Sequence, residues 1–280
     1  MRFDLATLTR RAKNPRRSVI TLRPISPPAT LATNLFQACY RPVVQAWEAA
    51  LPNIVAEYER TLAEMTTDSP ADVEARIGQA EAEAQSVMLR VSIALERWAA
   101  TVERWHRRKW TATVLPATNV DLRTMIGAGD MRMTLEAAIA RNTGLIRSVS
   151  DETRRRVGDA VFRGLQNRKP AREVAREIRE AAGIERRRAL RIAADQNVKL
   201  ASALNEERRR QAGIDSWYWQ HSGKVHARED HKARDGFLYS DNPERVGSEY
   251  QGKRVRKPPE DLPGQLPYCG CGTRACLILE

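Results

Sequence analysis

Residues 88–105 read MLRVSIALERWAATVERW, and their spacing sets the fold class. Met88, Val91, Leu95, Trp98, Val102 and Trp105 recur at alternating steps of three and four. With 3.6 residues per turn, those steps wind one apolar stripe along an α-helix and leave the charged residues outside. Ile77 belongs to the same stripe, so the spacing predicts a helix over about 71–109. Thr66, Thr67, Asp68, Ser69 and Pro70 precede it as a turn and cap, with Pro70 suited to the first helical position. Upstream, Leu35, Tyr40, Val43, Trp47, Leu51, Ile54, Val55, Tyr58 and Leu62 mark a second amphipathic helix over 29–64, with a kink expected at Pro42 or Pro52. Two long helices joined by a short turn make an antiparallel hairpin, placed at 29–114. Trp47, Trp98 and Trp105 read as packing residues of this hairpin.

The pattern changes on either side. Residues 1–28 hold Pro15, Pro24, Pro27 and Pro28 without an apolar period and read as a basic extended arm. Pro116, Gly127 and Gly129 interrupt the helix, which places a boundary near 115. A helical middle over 115–212 follows, with helices expected at 131–142, 150–167, 171–182 and 185–211. Gly183 reads as a cap between the last two, Leu190, Ala193, Asn197, Leu200, Ala201 and Leu204 as an inner face, and Gly213 as a stop. From 213 to 280 the character is α+β. Trp217-Tyr218-Trp219 and Ala275–Leu279 read as strands, separated by a Pro- and Gly-rich loop over 240–268. The fold class is thus mainly α with a small C-terminal α+β module.

Composition narrows the function classes. The chain has 280 residues, a net charge of +12, 6% aromatics and four cysteines. No apolar run reaches the ~18 residues of a membrane span, so no membrane partner is expected. Four cysteines are too few for a disulfide scaffold, and the basic start lacks the apolar core of a signal peptide. Residues 1–24 carry a net +6 and residues 141–210 a net +9, whereas 25–140 carry −3. Such blocks favour an anionic partner. The contact candidates are Arg10, Arg11, Lys13, Arg16 and Arg17 in the arm, Arg107, Arg108 and Lys109, and Arg186, Arg187 and Arg188. His106 and Trp110, beside the second cluster, suit either a stacking contact with DNA or simply a helix end whose cations complement the dipole.

A series of short motifs runs through the second half. Asn142-Thr143-Gly144-Leu145-Ile146 is followed by a basic helix, Ile192-Ala193-Ala194-Asp195-Gln196, Asn205 and the Trp217-Tyr218-Trp219 strand. Arg228-Glu229-Asp230-His231, Asp235-Gly236, Pro263-Gly264, Pro267 and Cys269-Gly270-Cys271 complete it. Over about 130–276 this order resembles the phage Mu F-like minor head protein family. The resemblance implies a virion protein of head morphogenesis, made in the host cytoplasm and lodged inside the capsid near the portal. The implied partners are the portal protein, a major capsid or scaffold protein, and packaged double-stranded DNA. The family usually places Arg between the two late cysteines, where this chain has Gly270, and Arg274 lies close enough in sequence to substitute.

The residues carry chemistry of their own. In a strand, Cys269 and Cys271 point the same way. Two thiolates with His231 suit a soft tetrahedral metal such as structural zinc, with Cys276 or His221 as further donors. Otherwise the cysteines are small core residues, His231 is hydrogen-bonded across the fold, and no cofactor is expected. Arg228, His231, Asp235, Gly236, Cys269 and Cys271 are the candidate structural constellation, pinning the ends of the 240–268 loop. Asp195 and Gln196 read as buried hydrogen-bonding groups that fix the helix against the tail. A metal-dependent nuclease built on His231, Cys269 and Cys271 is one alternative, and a nucleic-acid-binding protein outside virions another. The acids around His231 interleave with Arg228, Lys232 and Arg234, and no nucleophile–base–stabiliser set assembles, so no catalytic residue is assigned and the chain is not expected to be an enzyme.

Overall fold

The computed structural model describes residues 2–13, 18–64, 69–127 and 129–279. The chain is 67% helical, with long helices in its N-terminal two-thirds and a six-stranded, nearly closed sheet at the C-terminus. The helices are α1 (Leu5–Lys13), α2 (Ala29–Leu35), α3 (Arg41–Glu64), α4 (Ser69–Ser86), α5 (Met88–Thr118), α6 (Arg132–Gln166), α7 (Ala171–Gln211) and α8 (Glu229–Ala233). The strands are β1 (Val19–Thr21), β2 (Ser216–Gln220), β3 (Leu238–Ser240), β4 (Glu249–Tyr250), β5 (Lys253–Arg256) and β6 (Gly272–Ile278). Two compact units draw on separate stretches of chain, 32–98 with 139–194, and 1–31 with 99–138 and 195–280.

The helical unit (32–98 and 139–194) is built on the expected hairpin of α3 and α4. Val43, Trp47, Ile54 and Tyr58 from α3 and Val73, Ile77, Ala80 and Ala84 from α4 are buried. Ahead of α3, residues Phe36–Tyr40 form a π-helical turn in which Arg41 N–H bonds the carbonyl of Phe36. A proline ring clashes with the carbonyl four residues earlier, and the wider turn moves that carbonyl away from Pro42. Pro52 is carried inside α3. Polar anchors reach α6 and the turn after it: Tyr40 Oη donates to Asn142 Oδ1 at 2.9 Å, Trp47 Nε1 to Ser150 Oγ at 2.9 Å, and Tyr58 Oη to the Lys169 carbonyl at 2.7 Å. A Cβ on Gly164 would stand 2.6 Å from Val174 and 2.9 Å from Tyr58, so only glycine permits this approach. The turn expected at Thr66–Asp68 lies outside the described residues, and Ser69 begins α4.

Several helix ends differ from expectation. The helices expected at 131–142 and 150–167 are one helix, α6, and those at 171–182 and 185–211 are one helix, α7. Gly183 lacks the left-handed φ of a cap, whereas Gly213 has it (φ 69) and ends α7. Burial of Ala181, Ala182 and Ala189 around Gly183 outweighs its ~1 kcal/mol helix penalty. Leu190, placed on the inner face, is 45% exposed, while Ala193, Asn197, Leu200, Ala201 and Leu204 are buried as read. The helix expected over 71–109 is divided at Val87 into α4 and α5, and α5 continues through Pro116 to Thr118.

In the second unit the sheet order is β1-β6-β2-β3-β5-β4. All neighbours are antiparallel except β3 and β5. Alternation along β2 sends Trp217 and Trp219 to one face with Tyr239, Cys269 and Cys271. Tyr218 goes to the other, with Val19, Leu238, Cys276 and Ile278.

Among the described residues of 1–28, Leu5–Lys13 is helical and Val19–Thr21 a strand, in place of an extended arm. Asp4 caps α1 by accepting the N–H groups of Ala6 and Thr7, and fully buried Leu5 packs against Trp110, Ile214 and Leu277. Val19–Thr21 then pairs with Cys276–Ile278 as an edge strand. The prolines excluded helix only locally, and Leu5, Leu22 and Val19 are enough to dock the segment.

Candidate functional site

The site is assembled from three places in the last 70 residues: α8, the segment before β6, and the loop between β5 and β6. Arg228, extended (φ −64, ψ 136), precedes α8, and its short helix holds His231 in the interior at 1% exposure. Sγ of Cys269 lies 3.4 Å and Sγ of Cys271 3.8 Å from His231 Nδ1. These three residues lie together, with both cysteines just ahead of β6 rather than inside a strand. The other ring nitrogen, Nε2, donates to Asp261 Oδ2 at 2.7 Å, and Arg234 Nη1 donates to Asp261 Oδ1 at 2.6 Å. Trp219 packs its ring edge-on to the imidazole at 5.0 Å, and the Arg234 guanidinium stands 5.1 Å over the same indole.

The two thiols are electrostatically unequal. The Cys271 thiol donates to Cys269, and the N–H groups of Cys271 and Gly264 point at the same sulfur, which outweighs burial and holds Cys269 well below the ordinary thiol range. Cys271 is pushed up by that neighbour and by burial. Cys39 and Cys276 show the contrast: burial drives them to about 12 and about 11, leaving inert core thiols.

Asp261 gave no signal in the sequence, because it lies in the proline-rich loop 30 residues from its partner. Burial works against its charge, but the hydrogen bonds from Arg234 and His231 win and hold its carboxyl below the usual carboxylate range. A depressed folded value contributes stability fully above the unfolded value of ~3.9 and loses it as pH falls through the folded value. Limited proteolysis of 240–270 is therefore expected to accelerate on acidification below about pH 4, and Asp261→Asn is expected to remove that acceleration.

The remaining motif residues tie the loop down. Lys199 donates to the carbonyls of Gly264, Gln265 and Leu266 at 3.0, 2.6 and 2.9 Å, and Tyr268 N–H donates to Asp195 Oδ1 at 2.6 Å. Asp195 thus fixes the tail as expected, and buried Gln196 bonds Asp195. Gly264 has φ 84 and a Cβ there would meet Ser202 Oγ at 2.5 Å, which accounts for the Pro-Gly pair. Asp235 Oδ1 accepts the His221 N–H at 2.8 Å and Gly236 N–H donates to the Trp219 carbonyl at 2.9 Å, so Asp-Gly folds α8 back onto β2. Arg228 Nη2 donates to the Pro267 carbonyl at 3.2 Å. The acids flanking His231 are paired, Glu229 with Lys232 at 2.7 Å and Asp230 with Arg234 at 3.1 Å.

Some candidates fall elsewhere. Cys276 is not a fourth donor: five residues beyond Cys271 it faces the opposite side of the sheet, among Val19, Tyr218 and Ile278. His221 is also outside the group of donors that lie within 4.8 Å of one another. Arg274 does not stand in for an arginine at 270, because it lies over the Tyr218 ring at 5.4 Å. A Cβ at Gly270 would meet Lys224 at 2.8 Å and Ser222 at 2.9 Å, so a side chain there requires both to shift. His106 and Trp110 are core residues at 0% and 1% exposure, which corrects the stacking assignment. Arg188 is committed to Glu185 and the Ser148 carbonyl, and Arg107 to Glu103, whereas Arg10, Arg11, Arg108, Lys109, Arg186 and Arg187 are exposed. Arg16 and Arg17 lie outside the described residues, as does the side chain of Lys13.

The family described as Phage Mu protein F like protein matches residues 155–274, from the middle of α6 to β6. The segment belongs to the Phage Mu protein F-like family. The Mu F-like segment contains every residue of the site just described. An uncharacterized protein of Haemophilus influenzae is 28% identical over 123 residues, 44% of this chain and 28% of its own length. The chain thus spans little more than a quarter of that relative. No solved structure matches. No described helix is long and apolar enough to cross a membrane.

Proposed function

We propose that the protein is a minor component of the phage head that assembles with the portal inside the capsid and lies against packaged DNA. The observation that carries this reading is the match of 155–274 to the Mu F-like family. The charge distribution supports it, with a net +9 over 141–210. A cavity of about 540 Å³ adds a local surface: Arg104, Arg107, Arg108 and Arg123 line it together with Trp105 and the apolar Leu31 and Ile126. Guanidinium groups beside a half-buried indole suit a phosphate backbone, because the charge releases counterions and the ring offers a stacking face. The C-terminal site serves architecture in this reading. His231 is buried, its flanking acids are paired, and the contacts around it run from one part of the tail to another.

Mass spectrometry of purified heads is expected to find the chain at low copy, co-purifying with the portal protein. DNA binding by the purified chain is expected to be sequence-independent and to weaken by about 10³ or more between 50 and 200 mM salt if six or more phosphates are engaged. Arg104→Glu with Arg108→Glu is expected to reduce both affinity and salt slope. Absence from heads overturns the virion assignment. DNA cleavage that depends on a divalent metal and vanishes in His231→Ala overturns the architectural one.

A further inference from the structure

The Cys269–Cys271–His231 cluster has the dimensions of a metal centre. A tetrahedral zinc with Zn–S of ~2.3 Å and Zn–N of ~2.0–2.1 Å separates sulfur from nitrogen by about 3.5–3.6 Å. The two observed separations, 3.4 and 3.8 Å, bracket that value. The three donor atoms all lie within 4.8 Å of one another, and all three residues are buried. The donor set, two sulfurs and one imidazole, suits a soft or borderline cation and not calcium or magnesium.

The surroundings supply what a metal ligand needs. With its proton on Nε2, His231 donates to Asp261 and turns the Nδ1 lone pair toward the sulfurs. This is the carboxylate–histidine–metal arrangement that fixes ring orientation and raises ligand basicity. Arg234 in turn holds Asp261. A doubly charged cation neutralises two thiolates in a site walled by Trp219 and Tyr239. A pair of thiols meant only as apolar filling has no use for an imidazole whose far nitrogen is held by a carboxylate.

We propose that Cys269, Cys271 and His231 Nδ1 hold one zinc ion, with the fourth position taken by solvent. Cys271 also lines a cavity of about 270 Å³ with His221, Ser222 and Lys224, which gives solvent a place beside the sulfur. The ion clasps α8 to the segment that enters β6 and so closes the long loop between β5 and β6. This assignment goes beyond the virion reading and does not depend on it.

The test uses the full-length chain, purified without chelator and without added metal. Elemental analysis is expected to give about one zinc per chain. Exchange with cobalt(II) is expected to produce a thiolate-to-metal charge-transfer band and the intense visible absorption of a tetrahedral site. Chelation is expected to open Cys269 and Cys271 to alkylation while Cys39 and Cys276 stay protected. Cys269→Ser with Cys271→Ser is expected to lose the metal. Should that variant fail to fold, Asp261→Asn, which keeps all three ligands, is expected to bind zinc 10- to 100-fold more weakly. A metal-free chain that shows no cobalt charge-transfer band, or a Cys269–Cys271 disulfide in the freshly purified chain, overturns the proposal.

Discussion

Arg208→Ala is expected to destabilise the protein by about 3–5 kcal/mol, because it strands a buried carboxylate. Arg208 and Glu103 are 1% and 2% exposed, and Arg208 Nη2 donates to Glu103 Oε1 at 2.6 Å. The Arg208 Nε–H donates to His106 Nδ1 at 3.2 Å, and burial with the nearby guanidinium pushes that imidazole down to about 3, so the ring stays neutral and accepts. Removing the guanidinium leaves Glu103 with only the half-buried Arg107 at 3.4 Å. In a chain of this size the loss corresponds to a fall in Tm of about 10 °C. The pair gives a sharper check. Arg208→Met combined with Glu103→Leu removes both charges, and recovery of most of the loss is expected, since apolar replacement of a whole buried pair is often neutral. A double variant as unstable as Arg208→Ala would show that the cost is packing and not charge.

Trp219→Ala is expected to cost a similar amount, about 3–5 kcal/mol, and to concentrate its damage in the tail. Trp219 is fully buried, touches the imidazole of His231 with its edge, carries Arg234 over its face and lies 6.3 Å from the Tyr239 ring. Truncation opens a cavity beside the Cys/His cluster and frees Arg234, which orients Asp261. Protease sensitivity across 215–270 is expected to rise more than sensitivity within α3 and α4. Trp219→Phe keeps most of the wall and is expected to show a much smaller change. Equal sensitivity of Trp219→Ala and wild type in the tail would sink the view that this indole organises the site.

What the sequence discloses follows from how local each signal is. The stripe from Met88 to Trp105 and the apolar positions from Val43 to Tyr58 report helices because side chains three and four apart share a face. His231, Cys269 and Cys271 stand out in the sequence through the ordered motifs, and Asp195, read there as fixing its helix against the tail, accepts the Tyr268 N–H. Asp261 was invisible, since a lone acid in a loop acquires meaning only when the chain brings it to His231. Residues 1–28 misled for a related reason: strand pairing of Val19–Thr21 depends on a partner more than 250 positions away. Gly183 misled because glycine's preference at a cap is a weak bias that burial of neighbouring alanines overrides. His106 and Trp110 looked like a nucleic-acid contact because neighbouring arginines mark charge, but charge alone does not say which side of α5 faces the core.

The pairing of Val19–Thr21 with Cys276–Ile278, reinforced where Leu279 N–H meets the Ser18 carbonyl at 2.7 Å, has a practical consequence. A truncated gene that starts at residue 213 would encode a sheet with one rim bare, its N–H and C=O groups offered to any passing polypeptide. Such a fragment should oligomerise or precipitate. Supplying residues 2–24 as a separate peptide should restore a well-behaved monomer, for the portable module is discontinuous and its missing slat is Val19–Thr21, far away along the chain.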